Sequence, residues 1–351
     1  MAAKKKVEEA KVLTAYAAAG VDIDSKMNGI ESIKKMVKQT NTPGVVGGIG
    51  AFGGLFTSPG KENLLVASAD GVGTKLKVAA MIGRHDTIGQ DIVNHCVNDI
   101  LVQGATPLFF LDYIGASKFD GKVFNQVVKG LCKACKENGC ALLGGETAEM
   151  PGLYPEGEYD LVGTIVGTVP RKKIITGEKI RAGDIIIGLA SGGLQTNGYS
   201  LARRIIFDQC MLSPDDNIPG TNLKVGEQLL AVHKSFLKPV LAVMEKVDIK
   251  GMAHITGGGF TDNIPRVLPA NVNASIERNS CRVPEIFSFL QRQGKVDREE
   301  MYRVFNMGIG FVIIVNPKDV DTALALLKKN RARPTVIGKI VKGEKKVVYE
   351  D

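Results

Sequence analysis

Short apolar runs alternate along the chain with stretches whose apolar positions recur every three to four residues, a pattern that predicts strands feeding helices through glycine-rich joints. Residues 4–19 and 30–40 read as helices, the second with Ile30, Ile33, Met36 and Val37 on one side. A glycine-rich connector over 44–60 is too long for a plain turn and too apolar for a disordered segment. The run 64–69 predicts a strand that stops at glycine, followed by a helix through Lys77 and Ile82. Residues 87–103 predict a strong amphipathic helix, with Ile88, Ile92, Cys96, Val97 and Ile100 as its apolar stripe. A buried strand over 107–114, a helix over 124–138 and strands over 141–143 and 159–169 complete the first half. Residues 170–182 turn polar and basic, which marks a domain boundary and predicts domains 1–170 and 171–351. The second half opens with a strand over 184–190, a glycine turn over 191–198 and a helix over 199–207, and a strand follows at 309–315.

The polar positions in this pattern carry the chemistry. Asp70-Gly71-Val72-Gly73-Thr74-Lys75 leaves the first strand at once. Gly71 and Gly73 permit positive φ and close approach, Asp70 offers a hard oxygen, and Lys75 offers a mobile positive charge. Such a set suits a metal-chelated polyphosphate. Alone it would read as an ordinary strand-to-helix turn with a capping Asp, and the Walker A spacing is absent. A second cluster just upstream, Gly47, Gly48, Gly50, Gly53 and Gly54, changes the balance, because two glycine loops flanking one strand are hard to explain as turns.

On the amphipathic helix, Asp91, His95 and Asp99 fall four apart and form one ridge, joined by Asn94 and Asn98. The ridge is either a solvated face or a carboxylate surface turned to a ligand. Asp112 sits inside an apolar run, where a carboxylate needs a partner or a cation. Glu146, directly after Gly144-Gly145, predicts another oxygen ligand at a sheet edge, within a third glycine turn over 144–152. Backbone N–H groups at the helix start after Asn197-Gly198 suit phosphate.

Composition narrows the class. The 351 residues are 44% hydrophobic and 23% charged, enough for two cores, and the 41 glycines cluster at the ends of apolar runs, as in ligand-binding α/β or α+β enzymes. No apolar run reaches membrane-span length and the start lacks a secretory core, so a soluble cytoplasmic chain without membrane contact is expected. A net charge of +8 raises the question of nucleic acid. The basic residues are scattered and not interleaved with stacking aromatics, so steering of a small anion is expected instead. Cys132, Cys135 and Cys140 lie close together, but no second pair follows at zinc-ribbon or finger spacing. They read as small core residues on the apolar face of their helix.

Taken together these stretches resemble the aminoimidazole ribonucleotide synthetase (phosphoribosylformylglycinamidine cyclo-ligase) family nearly end to end. The resemblance is carried by Ala19-Gly20-Val21-Asp22-Ile23, the loop 47–56, residues 70–75, Cys96-Val97-Asn98-Asp99, residues 107–113 and 144–151, Asn197-Gly198-Tyr199-Ser200-Leu201 and residues 253–269. It implies a two-domain α+β fold, an N-terminal ATP-binding domain whose strands form a barrel shared across a homodimer, and a C-terminal sheet covered by helices. It implies ATP and Mg²⁺ as cofactors and formylglycinamidine ribonucleotide as substrate. ATP would phosphorylate the formyl oxygen, the ribosyl-bearing nitrogen would attack that carbon, and phosphate would leave as the imidazole closes.

By position, the resemblance implies Asp70, Asp99 and Glu146 as metal ligands and, with Lys75, as the catalytic set. Lys34, Lys75, Thr74, Gly71, Gly73 and the loop Gly47, Gly48, Gly50, Gly53 and Gly54 would face the nucleotide. Gln195, Asn197, Ser200, Gly257, Gly258 and Gly259 would meet the substrate. Two departures stand out: Asn94-His95-Cys96 where the family more often has small or apolar residues, and Gln195-Thr196 where it usually shows His-Ser. Glutamine can hydrogen-bond but cannot shuttle a proton near neutral pH. A selenophosphate synthetase-like kinase would need a cysteine in the first glycine loop, and residues 44–60 contain none.

Overall fold

The computed structural model describes residues 14–15, 45–46, 54–58, 60–118 and 120–351. The expected helices over 4–19 and 30–40 lie essentially outside them. The first half is a six-stranded sheet of β1 (Val45–Val46), β2 (Gly54–Thr57), β3 (Asn63–Gly71), β4 (Thr106–Ala116), β5 (Ala141–Glu149) and β6 (Tyr159–Pro170), in the order β1-β2-β3-β6-β4-β5. Among the described residues only the β4–β5 pair of this sheet is parallel. In β6, Leu161, Gly163, Ile165, Gly167 and Val169 are buried, while Val162, Thr164, Val166 and Thr168 between them are half-exposed. The pleat therefore sends one face into a core and leaves the other open.

Among the described residues three helices serve this sheet: α1 (Lys75–Ile82), α2 (Ile88–Leu101) and α3 (Gly121–Asn138). The last is capped by Asp120, whose side chain accepts from Lys122 N, and is closed by Gly139 in the left-handed conformation. α2 and α3 approach through Gly89 and Gly130. A Cβ on Gly89 would lie 2.2 Å from Val127 O, and one on Gly130 would lie 2.5 Å from Asp86 O. Gly89→Ala is expected to cost about 1–3 kcal/mol by forcing the backbones apart. An unchanged denaturation midpoint would contradict that contact.

The structure corrects several local expectations. The described part of the 44–60 connector holds an antiparallel strand pair, β1 and β2, leading onto β3. β3 runs through Asp70 and Gly71, paired with Gly163 and Val162, so the turn begins only at Val72 and the positive φ belongs to Gly73. The expected glycine turn after residue 143 is instead the continuation of β5 to Glu149. Pairing with β4 supplies the hydrogen bonds, and a bulge absorbs Leu143. β4 is not a fully buried strand, since Leu108 and Leu111 are exposed. Asp112 is half-buried, and that burial raises its pKa. On α3 the buried stripe is Val127, Gly130, Leu131, Ala134 and Cys135, whereas Cys132 is exposed and Cys140 half-buried.

The second half holds β7 (Ile185–Ala190), β8 (Gly251–His254), β9 (Val272–Glu277), β10 (Ile309–Val315), β11 (Pro334–Lys342) and β12 (Val347–Glu350), in the order β12-β9-β11-β7-β10-β8. Every residue of β10 is buried, which explains its unbroken apolar sequence. The helices are α4 (Tyr199–Arg203), α5 (Val225–Leu229), α6 (Leu237–Met244), α7 (Gly259–Asn263), α8 (Glu285–Gly294), α9 (Arg298–Val304) and α10 (Val320–Lys329). α4 runs on into a π-helical turn over Arg204–Gln209. Among the described residues no helix is long and apolar enough to cross a membrane.

α2 joins the halves. All of its residues are buried, polar ones included. Its apolar stripe packs on the first sheet, and its ridge is covered by the second half instead of by water.

Candidate functional site

Each member of the ridge meets a different partner. Asp91 Oδ2 lies 2.8 Å from Lys75 Nζ, both side chains wholly buried, and Asp91 Oδ1 accepts from His233 N at 2.7 Å. His95 Nε2 stands 2.9 Å from Asp70 Oδ2 and 3.6 Å from Asp99 Oδ2, while its Nδ1 is 2.8 Å from Thr196 Oγ1. Asp99 Oδ1 lies 2.7 Å from His254 Nδ1, and its Oδ2 accepts from Ser68 Oγ at 3.1 Å. Asn94 donates to His233 O, and Asn98 to Lys234 O. A helix of the first half thus meets two loops and the end of a strand, β8, of the second.

These contacts set the charges. Burial pushes the His95 imidazolium down, but the Asp70 and Asp99 carboxylates outweigh it and raise the pKa to about 9. Burial holds His233 and His254 below the ordinary histidine range. It raises Asp91 to about 6, with Lys75 pulling the other way, and it lowers Lys75 itself.

The expected site residues separate into groups. Asp70 and Asp99 come together around His95. Thr74 Oγ1 and Ser200 Oγ meet at 3.2 Å, so the strand end of the first half touches the helix start of the second. Asn197 stands beside Gly257, which is exposed, and Gly258 and Gly259 open α7 with φ of +98° and +56°. Gly54 begins β2 opposite Ala67. Lys34, Gly47, Gly48, Gly50 and Gly53 lie outside the described residues.

Three expectations are corrected. Lys75 is not a mobile surface charge: its ammonium is spent on Asp91, Ala231 O at 2.7 Å and Gln195 O at 3.1 Å, because α1 starts beneath the second half. Glu146 does not join the other carboxylates. It is exposed on β5, where its side chain accepts from Thr147 N, and β4 and β6 stand between it and β3, about 14 Å at strand spacing. Gln195 does not face an open cleft. It is buried at φ +63°, with Nε2 3.1 Å from His233 Nε2.

Sequence reasoning missed His233, His254 and Ser68. The available signal was scarcity: the chain has four histidines, and three of them gather here.

Family models for the N-terminal and C-terminal domains of AIR synthase related proteins match residues 51–169 and 181–351. The chain is 47% identical over 336 residues to the phosphoribosylformylglycinamidine cyclo-ligase of Alkaliphilus metalliredigens, covering 95% of this chain and 97% of that one. It is 50% identical over 334 residues to the enzyme of the same name from Thermoanaerobacter pseudethanolicus, covering 95% and 99%. Among solved structures, thiamine-monophosphate kinase from Stenotrophomonas maltophilia shares the fold, with a TM-score of 0.62 at 18% identity over 90% of this chain and 94% of that one. A hydrogenase maturation protein HypE in complex with ATP has a TM-score of 0.61 at 18% identity, covering 97% and 94%. With both halves matched and near half of all positions identical, the chain belongs to the phosphoribosylformylglycinamidine cyclo-ligase family.

Proposed function

We propose that the chain acts in the cytoplasm as a homodimer, with residues 1–170 binding ATP and making the dimer and 171–351 completing the substrate site. The activity is that of the family: ATP-dependent closure of formylglycinamidine ribonucleotide to 5-aminoimidazole ribonucleotide, releasing ADP and phosphate, in de novo purine biosynthesis. The observation that carries the site reading is the meeting of Thr74 with Ser200 beside Asp70. A nucleotide held at the end of β3 would there present its γ-phosphate to a substrate held at the start of α4.

In this reading Gly71, Gly73, Thr74 and Gly54 line the nucleotide, with Lys34, Gly47, Gly48, Gly50 and Gly53 closing over it. Asn197, Ser200 and Gly257 to Gly259 orient the substrate, and Gln195 acts only by holding His233. Mg²⁺ takes one or two carboxylates plus phosphate oxygens, which fits Asp70 with Asp99 beside it and leaves Glu146 out. Bound there, it would neutralise phosphate charge. The chain's own groups position the formyl oxygen against the phosphate and then the ring nitrogen against the activated carbon. Phosphate release from ATP should require formylglycinamidine ribonucleotide, and release that ignores that substrate would refute the assignment.

The dimer reading rests on the open face of the first sheet. Val162 and Val166 of β6 are half-exposed, Leu111 is exposed, and all of the edge strand β5 is exposed or half-exposed. A second copy of the same face would cover both. Val166→Glu is expected to convert the dimer to monomer in sedimentation at micromolar concentration. A monomeric unmodified protein would end this reading.

A further inference from the structure

The three cysteines around the end of α3 take no part in the site above. Cys132 is exposed, Cys135 is buried, and Cys140, just past the helix, is half-buried. Among the described residues their sulfurs do not converge as the ligands of a metal ion would.

The helix end sets the spacing of two of them. Gly139 adopts the left-handed conformation, with φ +72°, and its N–H returns to Lys136 O, while Cys140 N donates to Cys135 O at 3.0 Å. Those two bonds define a Schellman ending, whose closing residues, here Cys135 and Cys140, turn their side chains toward each other. A disulfide needs Cα atoms roughly 4.4–6.8 Å apart, a separation that a direct backbone hydrogen bond between two residues maintains. The two thiols also interact. The hydrogen bond that Cys135 donates lowers the pKa of Cys140 and raises its own, which burial raises further. The more accessible sulfur is therefore the one that ionises, and the buried one keeps its proton.

Cys132 cannot stand in for Cys140. Three residues apart in a helix, Cβ atoms lie about 5–6 Å from each other, and a disulfide closes only at roughly 3.5–4.5 Å. Cys132 also faces solvent while Cys135 faces the core.

We propose that Cys135 and Cys140 form an oxidation site that reacts with low-molecular-weight disulfides of the glutathione class and closes into a reversible disulfide across the end of α3. The Cys140 thiolate attacks one sulfur of the reagent, breaks its S–S bond and expels one thiolate. The mixed disulfide so formed removes the thiolate that held the proton on Cys135. Cys135 then gives that proton to solvent and attacks the Cys140 sulfur, expelling the second thiolate. Two protein thiols are oxidised and one reagent disulfide is reduced to two thiols. The new bond ties α3 to the start of β5, whose first residue, Ala141, pairs with Phe109 of β4. In a reducing compartment such a bond is transient and forms when oxidant rises.

Oxidised glutathione is the probe, added to the full native chain, with remaining thiols alkylated before digestion. Trypsin cuts after Lys133, Lys136 and Arg171, so the three cysteines fall in separate peptides. Mass spectrometry should find peptide 134–136 joined to peptide 137–171, with the loss of two hydrogens and no glutathione on Cys140, and dithiothreitol should reverse it. Cys135→Ala should trap glutathione on Cys140, Cys140→Ser should leave Cys135 unmodified, and Cys132→Ser should keep the link. Melting curves of the reduced variants that match the unmodified protein would show that they fold. If Cys135→Ala does not fold, the half-buried Cys140→Ser decides. Glutathione retained on Cys140 of the unmodified protein, no link at all, or a link through Cys132 would each overturn the proposal. A link that appears only in denaturant would overturn it too, because the folded helix end would then not be its cause.

Discussion

Lys75→Met is expected to lower stability by about 3–5 kcal/mol, the loss typical when one partner of a buried ion pair is removed and the other charge stays buried. The geometry leaves no alternative neighbour to take over. Asp91 and Lys75 are both wholly buried, and the ammonium also satisfies the carbonyls of Gln195 and Ala231. Adding Asp91→Asn to Lys75→Met should recover part of the loss by discharging the abandoned carboxylate. The pH dependence gives a second check. Burial raises Asp91 from 3.8 to about 6 against the pull of Lys75, so the folded state holds a proton that the unfolded state releases between those values. Stability contributed by that proton falls as pH rises across the window. Without Lys75 the carboxylate holds its proton to still higher pH, so the variant's deficit should shrink on acidification from pH 8 to about 5. If Lys75 were instead a mobile phosphate contact, Lys75→Met would melt like the unmodified protein and lose only turnover. Denaturant titration at two pH values separates the two accounts.

That result would also show where the sequence stops being informative. The period of residues 87–103 identifies a helix and its apolar stripe, and both are present in α2. The same period cannot tell a polar ridge facing water from one facing another part of the chain. Asp91, Asn94, His95, Asn98 and Asp99 look like a solvated face because their partners, Lys75, Thr196, His233 and His254, lie far along the chain or in the other half. Only docking brings them together. Strand ends were misjudged for a local reason. Gly144-Gly145 and Asp70-Gly71 carry turn chemistry, yet ladder bonds to β4 and β6 hold them extended, and pairing overrides propensity. Glu146 joins Asp70 and Asp99 only through the family resemblance, and the strand order β3-β6-β4-β5 does not turn that grouping into proximity.

Asp70→Asn and Asp99→Asn should each cut ATP turnover by at least about two orders of magnitude, the scale lost with one preorganised charge-stabilising group. They should differ in everything else. The Asp70 side chain is 45% exposed at the end of β3. Its substitution should cost stability at neutral pH chiefly through His95, because it removes one of the two carboxylates that hold the buried imidazolium. Asp99 is enclosed between Ser68, His95 and His254. An asparagine there keeps one acceptor but puts an NH₂ among donors, which should cost about 1–3 kcal/mol. His95 supplies a readout that mere misfolding cannot imitate. Its pKa of about 9 results from two carboxylates overcoming burial. In metal-free protein, removing either charge should lower the titration midpoint of its ring protons by NMR, and removing both should let burial prevail and carry it below the ordinary histidine value. Turnover retained in Asp70→Asn, with the His95 titration shifted as described, would mean that the cluster is a structural joint between the halves and that the nucleotide lies elsewhere.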